Sequence, residues 1–172
     1  MAASPDVVDR LLAWGRIDFR PSHRPPAWGR VVLATAVAIV LSLAADAVLI
    51  ALGTHLFPAT KGYVHFQFAD YAKLTVIGVI IAGAAWPVVA RVSSAPRWLF
   101  FRAAIAVTLV LFLPDVYIWW QGQSDQAVAV LMAMHVAIAL ITYNLLVRLA
   151  PVQSPARSTR VAARSAAPGT TL

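Results

Sequence analysis

Four long apolar stretches dominate the pattern along the chain, and most charged residues fall between them. The stretches cover about 31–52, 71–90, 98–120 and 127–149. At about 1.5 Å per helical residue, each is long enough to cross a hydrocarbon core of about 30 Å. The short connections between the second, third and fourth stretches favour antiparallel neighbours, and residues 53–69 form one long loop after the first stretch. The pattern therefore predicts an all-α fold, a four-transmembrane-helix antiparallel bundle formed by residues 30–150.

The two flanks of the bundle have a different composition. Residues 4–16 begin with a Ser-Pro-Asp helix start and continue with apolar residues on one side, which predicts a short amphipathic helix on the membrane surface. A segment that is helical only part of the time is the alternative. A Pro/Arg linker completes residues 1–29, and its His23 is expected to be solvated. Residues 151–172 are basic and rich in Pro, Ser and Ala, which predicts a disordered tail.

Small residues predict where the helices approach closely. Ala38, Ser42 and Asp46 recur every fourth residue and so share one face of the first span. Gly78 and Gly83, with several alanines between and after them, make the second span well suited to tight packing. Trp86 and Pro87 follow near the end of that span, where Trp favours the membrane interface.

Composition narrows the class of protein. Hydrophobic residues make up 60% of the 172 residues and the mean hydropathy is +0.75, which is too apolar for an ordinary soluble domain. The net charge of +7 does not indicate nucleic-acid binding, because the basic residues flank apolar spans. The absence of Cys from the sequence excludes thiol redox chemistry, disulfides and thiolate metal sites. The expected partner is the lipid bilayer.

Basic residues also predict the orientation. If the N-terminus is cytoplasmic, all twelve Arg fall in inside segments, and only Lys61 and Lys73 fall outside. Such an asymmetry across short segments predicts cytoplasmic N- and C-termini.

Five ionisable residues lie in or beside the spans and form a candidate polar pocket in the outer half of the bundle: Asp46, Asp70, Lys73, Asp115 and His135. Charged groups at such depth cost at least about 2.5–3.5 kcal/mol each, so they should face the interior and find partners. One interpretation is an outward-facing pocket for a proton, a cation or a small polar ligand. The other is a set of interhelical hydrogen bonds, with an Asp70–Lys73 pair, that only fixes the packing.

The sharpest hypothesis is that Asp46, Asp115 and His135 approach one another. Pro114 precedes Asp115, and a proline kink can turn the carboxylate away from lipid. The connection between the third and fourth spans is only about six residues long, which keeps those spans adjacent. An imidazole on the fourth span can then donate to the Asp115 carboxylate.

The pattern does not contain the spacing of an enzyme site. A nucleophile, an acid–base pair or a metal set is not evident, so we expect no catalytic residue, no metal and no cofactor. Two classes of function remain open. The first is a structural or accessory subunit of a plasma-membrane or envelope assembly, with a membrane-protein partner. The second is a small proton- or cation-linked transporter, acting as a homo-oligomer.

Three stretches carry a family resemblance: FADYAKLTVIGVIIAGAAWPVVAR, FLPDVYIWWQGQ and AVAVLMAMHVAIALITYNLLVRLAP. Together they resemble an uncharacterised family of small four-helix membrane proteins from actinobacteria, a domain of unknown function. The Pro114-Asp115 and Met134-His135 pairs are the most recognisable positions. The resemblance implies a bacterial plasma-membrane location and four spans, and it brings no catalytic residues with it.

Overall fold

Four long helices form the described part of the computed structural model, which covers residues 7, 10, 12–13, 16–17 and 23–153. They are α1 (Trp28–Leu56), α2 (Phe68–Val92), α3 (Pro96–Trp120) and α4 (Asp125–Leu149). Each of the four is long and apolar enough to cross a membrane, so the predicted four-helix membrane fold is confirmed.

For part of the N-terminal flank, the structure can be compared with the helix that the sequence predicts. Residues 7, 10, 12 and 13 are helical, as the amphipathic pattern predicts. The other residues of that short helix, and the tail from residue 154 onward, lie outside the described residues. The division into 1–29, 30–150 and 151–172 therefore stays a prediction.

The connections lie at two opposite ends of the bundle. Residues 57–67, with short 3-10 turns at Pro58–Thr60 and Val64–Phe66, join α1 to α2, and residues 121–124 join α3 to α4. Gly122 has a positive φ of 83°, a conformation that favours glycine, and it lets the second connection turn within four residues. At the other end, residues 93–95 join α2 to α3. We refer to the end that holds 57–67 and 121–124 as the loop end.

Helices α1 and α4 make the most extensive contact between described helices, and a face of small residues on α1 is buried in the bundle. Ala34, Ala38, Ser42 and Asp46 are all fully buried at intervals of four. Near the loop end, a Cβ added at Gly53 would stand 2.6 Å from the Val130 Cγ2 atom of α4. The predicted inward orientation of the small face of the first span is therefore confirmed.

A second core region lies at the end opposite the loop end. Trp86 of α2 is fully buried there, its ring packs 5.1 Å from that of Phe100, and its Nε1–H donates to the Ala150 carbonyl at 2.8 Å. Val31 of α1 and Leu146 of α4 complete the contact. The indole therefore finds its hydrogen-bond acceptor inside the bundle, at the end of α4, while the position of Trp86 near the membrane interface stays a prediction.

The segment before α1 packs against the same end. Arg24 and Gln153 exchange two backbone hydrogen bonds, of 2.9 and 3.0 Å. The His23 Nε2 atom lies 2.8 Å from the Ala90 carbonyl, and Ser93 Oγ donates to the Arg16 carbonyl at 2.9 Å. The expectation of a solvated His23 is wrong, since the ring is half-buried against the end of α2.

Candidate functional site

Asp46 is the most deeply buried carboxyl group described by the structure. The α1 face of small residues places it against α2 and α4, and it has no exposed surface. The Thr75 hydroxyl of α2 donates to Asp46 Oδ2 at 2.8 Å. The other oxygen, Oδ1, is buried and has no hydrogen-bond partner among the described residues. A buried carboxyl oxygen in this position must be matched by a proton, an ion or a water molecule.

Asp115 and His135 form a direct contact between α3 and α4. The His135 Nδ1–H donates to Asp115 Oδ2 at 2.9 Å, and the predicted approach of the two side chains is confirmed. The Asp115 side chain is only 7% exposed, and that of His135 is 25% exposed. The ring of Phe112 lies edge-on to the imidazole, with centroids 6.3 Å apart. Since Nδ1 donates to the carboxylate, Nε2 is the ring nitrogen that remains to accept a proton.

The two pairs belong to one cluster. His135 interacts electrostatically with Asp46, which links the Asp46–Thr75 pair to the Asp115–His135 pair. Asp46 and His135 each lie ten residues from the loop end of their helices, or about 15 Å. Asp115 lies five residues from the end of α3, or about 8 Å. We call Asp46, Thr75, Asp115 and His135 the polar cluster.

Two buried hydroxyl groups lie further along the same helix faces. Ser42 precedes Asp46 by one turn on α1, and Thr142 follows His135 by two turns on α4. Both are nine-tenths buried or more, and neither hydroxyl oxygen has a hydrogen-bond partner among the described residues. Neither Thr75 nor Thr142 is among the site residues predicted from the sequence. For Thr142, the seven-residue spacing from His135 was the available signal.

Tyr63 approaches the cluster from the connection between α1 and α2. Its hydroxyl is buried and lacks a hydrogen-bond partner among the described residues. Burial raises the pKa of the Tyr63 phenol above its usual value, and the nearby Asp115 carboxylate raises that pKa further. The phenol therefore stays neutral at physiological pH.

Asp70 and Lys73 lie apart from the cluster. The Lys73 Nζ and Asp70 Oδ1 atoms are 3.8 Å apart, and the two side chains are 70% and 43% exposed. They occupy the first turns of α2 at the surface of the loop end, where water can solvate both charges. The expectation that they share a pocket with Asp46, Asp115 and His135 therefore needs correction. The pair that the spacing predicted is present, but on the surface.

A metal set is not found among the described residues, where no three His, Asp or Glu side chains stand together as possible ligands. The cluster offers instead two carboxyl groups, one imidazole and several hydroxyls. This chemistry suits the binding of protons and hydrogen bonding between helices.

Comparison with protein-family models gives a match over residues 22–151, to a family of unknown function, DUF6069. The chain belongs to the DUF6069 family. The match includes all four helices of this DUF6069 protein and every residue of the polar cluster. The resemblance to a domain of unknown function is thus confirmed, while an actinobacterial origin stays a prediction. No curated protein and no solved structure matches the chain.

Proposed function

We propose that this DUF6069 protein is a structural or accessory subunit of a plasma-membrane or envelope assembly, with both termini in the cytoplasm. The observation that carries this proposal is the large apolar surface that α3 exposes on the outside of the bundle. Its big apolar side chains point away from the bundle along much of its length: Ile105, Val107, Leu109, Val110, Leu111, Leu113, Val116, Trp119 and Trp120. Helix α3 packs mainly on α4 and less on α2, so it is a peripheral helix.

A peripheral apolar helix is suited to contact another membrane protein as well as lipid. Such contacts depend on packing and on a few polar groups, because lipid tails are as apolar as the helix surface. The connections between the described helices are short, which leaves the spans as the main surface for assembly in this part of the chain. We include no catalytic activity in the proposal.

Purification from native membranes tests the accessory role. A photo-crosslinking residue at Leu113 of α3 should join the protein to a stoichiometric partner, and one at the similarly exposed Ile81 of α2 should not. Mass measurement in nanodiscs gives the stoichiometry. A species that contains only copies of this chain, with no crosslink specific to α3, contradicts the accessory role.

Reporter fusions test the orientation. The asymmetry of twelve Arg against two Lys supports cytoplasmic termini. An alkaline phosphatase fused at residue 172 should be inactive, and one inserted within 53–69 should be active. An active C-terminal fusion contradicts the proposed orientation.

A second candidate function is a small proton- or cation-linked carrier. Asp46, with its unpartnered buried oxygen, favours it, because carriers place ionisable groups inside the membrane where partners are few. In this case the protein should purify as a homo-oligomer, and a pH-dependent flux in reconstituted vesicles should be lost in Asp115→Asn.

A further inference from the structure

We infer that Asp46, Asp115 and His135 form a proton-binding site that exchanges protons with the water at the loop end of the bundle. The inference goes beyond the accessory role, because it assigns a ligand to the polar cluster. It also holds if the protein is a carrier, since proton binding is a property of the cluster and not of the surrounding assembly.

The net charge of the cluster favours the binding of protons. Two carboxylates and a neutral imidazole carry a charge of about −2, which is costly in a medium where one buried charge already costs at least about 2.5–3.5 kcal/mol. One proton on the Asp115–His135 pair gives an ion pair or its neutral equivalent. A second proton on Asp46 makes the whole cluster neutral. The neutral cluster therefore holds both protons, and it returns them to water when it is deprotonated.

The described residues around the cluster include no fixed cation that would replace those protons. Asp46 is faced by Thr75 and Tyr71 from α2 and by His135 from α4. Asp115 is faced by His135 from α4 and by Tyr63 from the connection. Among the described residues, the structure shows no Lys or Arg in contact with either carboxyl group. Lys73 pairs with Asp70 at the surface.

The hydrogen bonds assign a place to each proton. Thr75 donates to Oδ2 of Asp46, so a proton on this carboxyl group belongs on the unpartnered Oδ1. The His135 Nδ1–H is held by Asp115, so the proton of the pair enters at Nε2. Ser42 lies one turn from Asp46 on α1, and its fully buried hydroxyl also has no partner among the described residues.

The depths of the residues indicate the side of entry. Asp115 lies nearest to the loop end, and the buried Tyr63 hydroxyl stands close to it. Asp46 lies about twice as far from the loop end as Asp115 does. Protons thus reach the Asp115–His135 pair before they reach Asp46.

Infrared difference spectroscopy of the full chain in lipid nanodiscs tests the site. Lowering the pH should produce the carbonyl band of a protonated carboxylic acid, which shifts on exchange into heavy water. A component of this band should be lost in Asp46→Asn and kept in Asp70→Asn, the matched surface control. In His135→Gln the midpoint of that component should shift, because the imidazole charge is removed. An Asp46→Asn spectrum identical to wild type, or an unchanged midpoint in His135→Gln, would overturn the inference.

A second variant covers the case in which Asp46→Asn does not fold. Thr75→Val keeps the side-chain shape and removes the hydroxyl that donates to Asp46 Oδ2. The same carbonyl component should then change its frequency and remain titratable. If the band of Thr75→Val matches that of wild type, Asp46 is not the group that binds the proton and the inference fails.

Discussion

Gly83 and Gly78 lie on the same helix, and the structure predicts opposite effects when each is replaced by Ala. A Cβ at Gly83 would meet the Thr35 side chain of α1, with its Oγ1 in direct overlap and its Cγ2 at 3.0 Å. A Cβ at Gly78 meets nothing within 4 Å. The two substitutions are chemically identical, so their difference isolates the contact between α1 and α2.

The size of the stability loss in Gly83→Ala depends on how rigid the neighbouring Thr35 side chain is. Thr35 is β-branched, and its hydroxyl donates to the Val31 carbonyl of its own helix at 2.8 Å, so the side chain has little freedom to move away. Overpacking of this kind typically costs about 1–3 kcal/mol. Gly78→Ala gains helix propensity instead, worth up to about 1 kcal/mol. We expect Gly83→Ala to be destabilising and Gly78→Ala to be neutral or stabilising.

Reversible unfolding in mixed detergent micelles, followed by Trp fluorescence and circular dichroism, measures both effects. The double variant Gly83→Ala/Thr35→Ala should recover part of the loss, because it removes Oγ1 and Cγ2 and leaves only the Cβ contact of 3.2 Å. Thr35→Ala alone should be mild, since its hydrogen bond is local. Equal stabilities of the two Gly→Ala variants, or no recovery in the double variant, would refute the close approach of α1 and α2 at this point.

Two further predictions concern the end opposite the loop end and the tail. Trp86→Phe should lower the unfolding free energy by about 1–3 kcal/mol in a thermal melt, because it leaves the buried Ala150 carbonyl without its donor. The exposed Trp28→Phe should have little effect, and an equal loss in both would contradict this. Deleting residues 155–172, which lie outside the described residues, should leave insertion and detergent stability intact, as judged by size-exclusion chromatography. Aggregation of the truncated protein would show that the tail packs on the bundle.

The helices themselves could be predicted because their signal is length and continuous apolarity. Lipid requires every backbone group to be bonded within the helix, so long apolar runs have few alternative structures. The inward face of α1 could also be predicted, since Ala38, Ser42 and Asp46 repeat at helical spacing within one span. The contact of Asp115 with His135 followed from the short connection between their helices.

Other features left no such signal in the sequence. A span that is apolar on all sides does not show how it is rotated about its axis, so Gly78 and Gly83 appeared equivalent although only Gly83 is at a close contact. The pairing of Thr75 with Asp46 could not be predicted for the same reason. The rotation of α2 about its axis was not known, and a hydroxyl residue is common in a span. The backbone bonds between Arg24 and Gln153 could not be predicted either, since backbone groups are the same in every residue.

The Asp115–His135 contact also makes a prediction that separates its stability from its chemistry. Asp115→Asn keeps a side-chain oxygen that can accept from His135 Nδ1–H, so its stability should stay within about 1 kcal/mol of wild type, the usual scale of a membrane hydrogen bond. Asp115→Leu removes the acceptor and leaves the imidazole donor without its partner, which should be more harmful. His135→Leu should be mild, because the Asp115 carboxyl can bind a proton and become neutral. The double Leu variant should then lose less than the sum of the single variants, by about 0.6–2 kcal/mol in a double-mutant cycle. Strict additivity would mean that the contact does not stabilise the bundle, and a large loss in Asp115→Asn would mean that the charge itself is required for folding.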